Sequence, residues 1–203
     1  MLTIISSSGW PIWPLLITSV LGLALILERV WYLGLAKIAP KKDLEQALTI
    51  LEHFHVGQTP ITPAIDLLRT SSALGKILAQ GLLEFMGRKS EAQCLDCMQE
   101  LATPILIRLN QYLNLLATIA TIAPLMGLFG TVLGMIEIFQ SQGANSSPQL
   151  LAQGISMALY NTAFGLLIAI PALAGWRLLR SQADKRADEL DAYCRIFLKK
   201  MYP

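Results

Sequence analysis

Hydrophobic and polar residues are separated into long blocks along this chain. Lys, Arg, Asp and Glu are absent from residues 1–27, 109–136 and 138–176. Each block holds the run of about 20 apolar residues that a helix needs, at ~1.5 Å rise per residue, to cross the ~30 Å hydrocarbon core of a bilayer. The pattern predicts three membrane-spanning helices, at about 11–35, 110–140 and 150–177.

The placement of positive charge predicts how these spans are oriented. All 16 Lys and Arg residues lie between positions 29 and 108 or between 177 and 200. By the positive-inside rule, both of those regions are cytoplasmic. The predicted organisation is therefore an N-out first span in residues 1–35, a cytoplasmic helical segment at 36–109, a second span at 110–140, a short external turn at 141–149, a third span at 150–177 and a cytoplasmic C-terminal helix at 178–203.

The regions outside the spans carry helical patterns. Apolar residues recur at three- and four-residue spacing in DLEQALTILEHF and SALGKILAQGLLEFM, and the two prolines of QTPITP predict a loop between them. The run EAQCLDCMQELATPILIRLNQYLNLLATIA is expected to pass into the second span with little interruption, and the third span to continue as WRLLRSQADKRADELDAYCRIFLKKM. The predicted fold is an all-α membrane protein with long cytoplasmic helical extensions.

Composition supports a membrane protein and provides no sign of catalysis. Hydrophobic residues make up 54% of the chain and charged residues 15%, and the net charge of +2 is too small to favour a nucleic-acid partner. Cys94 and Cys97 form one C-x-x-C without a second, and His53 and His55 form an isolated H-x-H, so we expect no metal site. Without a catalytic triad, phosphate loop or hydrolytic carboxylate pair, we expect neither an enzyme nor a cofactor.

Small residues form a stripe on each of the last two spans. In the second span they are Ala123, Gly127, Gly130 and Gly134, and in the third Gly154, Ala158, Thr162, Gly165, Ala169 and Ala172, at intervals of three or four throughout. Helices in lipid associate by close backbone approach through such stripes. Both spans are therefore predicted to pack tightly against other helices.

Polar side chains accompany these stripes: Thr121 and Thr131 in the second span, and Ser156, Asn161 and Thr162 in the third. Two interpretations stay open. Membrane threonines usually hydrogen-bond to their own helix or to a neighbouring helix, and the same groups can also line an ion pathway. Glu28 and Arg29, at the inner end of the first span, are expected to be interfacial anchors or an inter-subunit pair.

Three segments resemble a known family. APLMGLFGTVLGMIEIF at 123–139, GISMALYNTAFGLLIAIPAL at 154–173 and ILERVWYL at 26–33 are similar to the proton-channel family of ExbB, TolQ and MotA. The order and spacing of the blocks and the short external turn match, and three spans with an outside N-terminus resemble ExbB and TolQ more than MotA, whose members usually have four spans.

The resemblance implies a bacterial inner-membrane, multi-pass protein with a periplasmic N-terminus and a cytoplasmic C-terminus. It implies a ring, typically a pentamer, that surrounds two single-span helices of an ExbD- or TolR-like partner carrying a membrane aspartate. Protons reaching that aspartate would drive movement that is passed to a TonB- or TolA-like protein. Thr131 and Thr162 match the family's pore-facing threonines, and the glycines would let adjacent helices close the ring among the membrane lipids.

One position departs from the family pattern. Where ExbB and TolQ commonly have a glutamate, this chain has Met157, so the third span contains no acid. Because a buried ionisable group is costly and the partner already supplies one, we expect conduction without this glutamate. The alternatives are a different ion or coupling, or a non-conducting structural scaffold with the same ring architecture. The resemblance also leaves open proton or sodium, and import, envelope maintenance or motility.

Overall fold

The computed structural model describes residues 12–35, 38–56, 62–141 and 148–202. The regular elements of these residues are seven helices: α1 (Ile12–Leu35), α2 (Lys41–His55), α3 (Thr62–Ser71), α4 (Ala73–Met86), α5 (Glu91–Asn110), α6 (Leu113–Ser141) and α7 (Pro148–Met201). Three stretches of helix are long and apolar enough to cross a membrane, within Ile12–Leu33, Glu91–Gln140 and Gly154–Met201. The predicted all-helical fold with three long apolar helices is therefore confirmed for this part of the chain.

The described residues fall into two compact units. One, here called the apolar unit, lies within Met1–Trp31 and Tyr112–Leu179, and the other, here called the charged unit, lies within Tyr32–Gln111 and Arg180–Pro203. The boundary in sequence follows the switch from uncharged to charged segments. Most of the external turn predicted at 141–149 lies outside the described residues, and the assignment of each segment to one side of a membrane stays a prediction.

The apolar unit contains most of α1, all of α6 and the first part of α7. Large apolar side chains on its surface include Trp13, Leu27, Leu125 and Ile170, each more than 60% exposed. A water-soluble domain rarely exposes so much contiguous apolar surface, whereas a membrane span is expected to do so. The surface composition of this unit therefore agrees with burial in lipid.

The charged unit contains α2 to α5 and the C-terminal part of α7. Two of its helices begin at serine caps that satisfy free backbone N–H groups. The Ser72 hydroxyl accepts from the Gly75 N–H (3.1 Å) at the start of α4, and Ser90 and Gln93 form a reciprocal capping box at the start of α5. The buried interior is apolar and includes Leu74, Ile77, Leu78, Leu82, Met98 and Phe197.

A buried carboxylate joins α2 to the junction between α3 and α4. Asp43 is only 4% exposed, and its Oδ2 accepts from the hydroxyls of Ser71 (2.8 Å) and Ser72. A Cβ added at Gly75 would lie 2.3 Å from the Leu68 carbonyl oxygen. The close packing at this junction therefore leaves no room for a side chain at position 75, and the two hydroxyls offset the cost of burying Asp43.

The helix expected to enter the second span is interrupted between α5 and α6. Gln111 takes extended ψ (139°), and Tyr112 has a left-handed φ of 62°. The Arg29 guanidinium carbon lies 5.0 Å from the centroid of the Tyr112 ring, a cation–π contact that holds the ring in place. By contrast, α7 runs without a break for 54 residues, and this agrees with the predicted continuation of the third span.

Candidate functional site in the apolar unit

The backbones of α6 and α7 approach each other closely at two glycines. A Cβ at Gly127 would lie 2.7 Å from the Asn161 carbonyl oxygen, 3.0 Å from Thr162 Cα and 3.2 Å from Gly165 Cα. A Cβ at Gly165 would lie 2.6 Å from the Ala123 carbonyl oxygen. Because the atoms in the way belong to the backbone, no side chain fits at either position without moving a helix.

The contact extends along both helices with antiparallel order. Towards the Ser141 end of α6, Gly130 faces the Asn161 side chain, Gly134 faces Ala158, and Ile138 on α6 faces Gly154 on α7. Ala169 is also buried. The small stripes predicted on the second and third spans therefore meet within one subunit. Their further assignment to the interface between subunits of a ring stays a prediction.

The register of this contact sets the relative heights of the two predicted pathway threonines. Thr131 follows Gly130 and Thr162 follows Asn161, and Gly130 and Asn161 are in contact. Because Thr162 Cα also lies against Gly127, four residues before Thr131, the two threonines lie within about one helical turn (~6 Å) of each other along the pair, and both are partly exposed. The Thr131 hydroxyl donates to the Leu128 carbonyl (2.7 Å). Its oxygen keeps acceptor capacity, because a hydroxyl has two lone pairs.

The other predicted pathway residues occupy different places. Asn161 is 2% exposed and lies in the contact between α6 and α7, where its side chain packs on Gly130. Thr121 is exposed, and lies ten positions before Thr131, or about 15 Å along the helix axis. Ser156 is exposed and donates to the Ala152 carbonyl (3.0 Å). Thr131, Thr162 and Asn161 therefore lie within about one helical turn of each other along the pair, whereas Thr121 lies at another level.

Position 157, where the family glutamate is replaced, falls within α7. The side chain of Met157 lies outside the described residues, as does that of Glu137 near the end of α6. The prediction that conduction does not require an acid at this position therefore rests on the cost of burying an ionisable group, and it stays a prediction. The backbone at 157 is helical, one residue before the buried Ala158.

Sequence reasoning missed two polar residues on α6. Asn114 and Thr118 precede Thr121 at intervals of four and three, and all three are exposed on one face of the helix. The Thr118 hydroxyl donates to the Asn114 carbonyl (2.9 Å). The spacing is visible in the sequence, but the exposure of these residues on a shared face depends on how α6 packs.

Charges at the end of α1 are paired within the subunit. Arg29 is 3% exposed, and its guanidinium donates to both carboxylate oxygens of Glu28, at 2.7 and 3.2 Å. Together with the stacking on Tyr112, this pair allows a guanidinium to be buried without leaving its charge uncompensated. Both expected roles, interfacial anchor and inter-subunit pair, stay predictions, and Glu28 and Tyr112 are observed partners of Arg29 within the chain.

Burial keeps two cysteines of the charged unit, Cys94 and Cys194, as thiols. Burial raises the pKa of Cys94 to about 11 and that of Cys194 to about 12. Within the described part of the chain, no cluster of three or more His, Cys, Asp or Glu side chains could hold a metal ion. The first cysteine of the C-x-x-C motif, Cys94, is therefore buried in the way that is typical of a structural cysteine.

Three long apolar helices, two of them packed closely through glycines, define a helical membrane protein. Residues 69–192 match the MotA/TolQ/ExbB proton channel family. The chain belongs to this family. The match covers the spans that contain both threonines.

Individual relatives agree with this assignment. The biopolymer transport protein exbB1 of Vibrio cholerae is 31% identical over 211 residues, which cover 95% of this chain and 86% of that protein. The putative biopolymer transport protein ExbB-like 3 of Synechocystis is 31% identical over 175 residues, or 83% of this chain and 79% of that protein. The Tol-Pal system protein TolQ of Haemophilus influenzae is 46% identical over a shorter stretch of 66 residues, 32% of this chain and 29% of that protein.

Proposed function

We propose that this protein is the proton-conducting subunit of an energy-transducing motor in the bacterial inner membrane. The observation that supports the proposal is that Thr131 and Thr162 lie within about one helical turn of each other on a tightly packed helix pair, in a chain of the MotA/TolQ/ExbB family. The names of its relatives support a transport role, because they include biopolymer transport proteins and a Tol-Pal system protein. The proposed activity is ion translocation rather than enzymatic catalysis.

The proposed complex is a ring of five subunits around a dimer of an ExbD- or TolR-like single-span partner. The partner contributes a membrane aspartate, and its movement powers a TonB- or TolA-like protein that crosses the periplasm. The exposed apolar surface of the apolar unit supports contact with lipid and with neighbouring spans. In the proposed topology, the N-terminal region and residues 141–149 are periplasmic. The charged unit and both basic regions then lie in the cytoplasm.

The chemistry of the threonines suits a proton cycle that uses the partner's acid. A carboxylate in a low-dielectric environment is costly and becomes protonated unless polar groups receive it. A hydroxyl can accept a hydrogen bond from the neutral acid, and it can donate one to the charged carboxylate when its hydrogen turns away from its own helix, which for Thr131 means leaving the Leu128 carbonyl. The hydroxyls at 131 and 162 would therefore lower the barrier to loading and unloading the aspartate without adding a second buried charge.

The test is proton uptake by liposomes that contain the protein together with its single-span partner. We expect Thr131→Val and Thr162→Val each to lower the flux by roughly tenfold or more, as removal of a group that takes part in proton transfer does. Thr18→Val is the matched control, because Thr18 lies in α1 and its hydroxyl also donates to its own helix, at 2.8 Å from the Leu15 carbonyl. Native flux in both threonine variants, with the partner bound, would contradict the proposal.

A second candidate is a structural ring that conducts no ions, and the replacement of the family glutamate by Met157 favours it. The two candidates differ in the behaviour of Met157→Glu. A native complex without flux, in which Met157→Glu creates flux, would support the scaffold. A conducting native complex excludes it.

A further inference from the structure

One polar side chain is buried inside the contact between α6 and α7. Asn161 is 2% exposed, and it lies between Ala158 and Gly165 on the face of α7 that packs against α6. These two neighbours carry at most one methyl group, so Asn161 is the bulkiest buried side chain in this part of the contact. A side chain of this size fits between closely packed helices only where the opposite helix leaves room.

Gly130 of α6 provides that room. A Cβ at Gly130 would lie 3.0 Å from both the Cβ and the Nδ2 of Asn161, and 3.1 Å from its Cγ. Side-chain atoms of Asn161 therefore lie directly over the glycine, and no change of rotamer would move the Cβ atom away. The absence of a side chain at position 130 is what allows Asn161 to lie here.

A second contact of the same kind runs in the opposite direction. Ile138 of α6 lies over Gly154 of α7, where an added Cβ would be 2.6 Å from the Ile138 Cδ1 and 2.7 Å from its Cγ1. Gly134 and Ala158 meet between the two contacts. Each helix thus inserts one larger side chain at a glycine of the other helix, and the two insertions are about two turns apart.

The spacing of the glycines makes this arrangement compatible with one register. Small-residue stripes alone allow several registers, because a shift of one helical turn again brings small residues together. After such a shift, Asn161 could still face another glycine of α6. Ile138 could not face one, because the next glycine of α7 after Gly154 is Gly165, about three turns further on. Only the observed register places both larger side chains at glycines.

We propose that Asn161 and Ile138 fix the register of α6 against α7, and that Asn161 is thereby a positioning residue for the two pathway threonines rather than a member of the pathway. Thr131 directly follows Gly130, and Thr162 directly follows Asn161. A shift of one turn, ~5.4 Å, would change the axial separation of the threonines by about as much as the separation itself. The effect on ion flow rests on the proposed function, whereas the register does not.

A double-mutant cycle tests the fit of Asn161 on Gly130. Asn161→Ala leaves a void and Gly130→Ala overfills the contact, so each should lower the thermal midpoint of the detergent-solubilised protein by about 2–4 °C or more. In the double variant, the new methyl group at position 130 fills part of the void. The loss should therefore be clearly smaller than the sum of the two single losses. Additive losses would overturn the fit.

A disulfide measures the register directly. Gly134→Cys and Ala158→Cys are combined in a background without the native cysteines, because their Cβ atoms would lie 3.1 Å apart, close to the separation in a disulfide. We expect a mild oxidant to form this bond readily, and about fivefold or more slowly once Asn161→Ala and Ile138→Ala are added. Ile170→Ala, at a side chain that is 67% exposed, is the control. A rate that the two added changes leave unaltered would overturn the proposal.

The positioning role is tested by proton flux in liposomes with the partner present. We expect Asn161→Ala to lower the flux by roughly tenfold, as displacement of a group from its working geometry does, and the addition of Gly130→Ala to restore most of it. Gly175→Ala is the control for another tight contact of α7, because its Cβ would lie 3.0 Å from the Ile26 Cγ1.

Two outcomes would overturn the positioning role. One is native flux in Asn161→Ala, and the other is a loss of flux that Gly130→Ala does not restore although the thermal midpoint recovers, because the amide would then act in the pathway itself. Absence of flux in the native complex would instead be a failure of the proposed function.

Discussion

The threonines of α6 are bonded to their own helix, and that bonding explains how they are tolerated in an apolar segment. Thr118, Thr121 and Thr131 each donate to a carbonyl three or four residues earlier, at 2.7 to 3.2 Å. The hydroxyl hydrogen is thereby satisfied in the absence of water, and the oxygen stays available to a partner. An acid in the same place would carry a far higher cost of burial.

The same bonding explains why the sequence alone does not distinguish a structural role of these threonines from a role in an ion pathway. A threonine whose hydroxyl only bonds to its own helix and a threonine that lines a pathway make the same contacts within that helix. What distinguishes them is exposure on a shared face, which depends on how α6 packs. Thr118 was missed for this reason, and Asn161 was assigned to the pathway although its side chain packs on Gly130.

At the residue scale, the ion pair Glu84–Lys89 predicts a pH dependence of stability in the charged unit. A hydrogen bond from Lys89, with another from Gln80, lowers the pKa of Glu84, and the bond to Glu84 raises the pKa of Lys89. The contribution of Glu84 is therefore present above its unfolded pKa and lost as pH falls through its lowered pKa. The contribution of Lys89 is present below its unfolded pKa and lost as pH rises through its raised pKa.

We expect Lys89→Met to lower the thermal midpoint of the purified protein at neutral pH, and the difference from native to shrink as pH falls from about 6 to about 3. The effect should be small, because both groups lie near the surface of the unit. Lys185→Met, at an exposed position on α7, is the control. A difference that stays constant across this range would contradict the role of Glu84.

At the element scale, the α6–α7 pair depends on glycine at the points of closest approach. Replacing glycine by alanine raises helix propensity by up to about 1 kcal/mol, whereas forcing extra atoms into a packed contact costs typically about 1–3 kcal/mol. At Gly127 the obstructing atoms are the Asn161 carbonyl oxygen and Thr162 Cα, which cannot turn aside. The packing cost should therefore exceed the gain.

We predict that Gly127→Ala lowers the thermal midpoint of the detergent-solubilised protein. Gly22→Ala is the matched control in α1, because its Cβ would meet only the Ile119 Cγ2 atom at 3.4 Å, an ordinary contact. That variant should be neutral or slightly stabilising. Equal midpoints for the two variants would show that the close approach of α6 and α7 is not needed for stability.

Element boundaries were predictable where they follow local composition and not where they follow distant contacts. The spans, the caps and the long α7 depend on residues close together in sequence. At the break between α5 and α6, Tyr112 contacts Arg29, which lies far away along the chain. Likewise, a small-residue stripe predicts close packing but does not identify the partner helix. The pairing of α6 with α7 of the same chain is therefore known only from the structure.

At the scale of the whole molecule, the orientation in the membrane is the property on which the direction of ion flow depends. Charge placement predicts that the N-terminal region and 141–149 lie on the periplasmic side. Single cysteines introduced by Ser8→Cys and Ser146→Cys, in a background without the native cysteines, should react with a membrane-impermeant maleimide added outside spheroplasts. A cysteine restored at position 97 should react only after permeabilisation. The reverse pattern of labelling would contradict the topology.

The central claim is that this chain and its partner conduct protons although the third span has no acid. The most direct measurement is proton uptake, in sodium-free buffer under a voltage and pH gradient, by liposomes that hold the native complex or the complex with an Asp→Asn change in the partner's span. The account predicts uptake by the native complex and its loss in the Asn variant. Absence of uptake by an intact native complex, or uptake that the Asn change leaves unaltered, would contradict it.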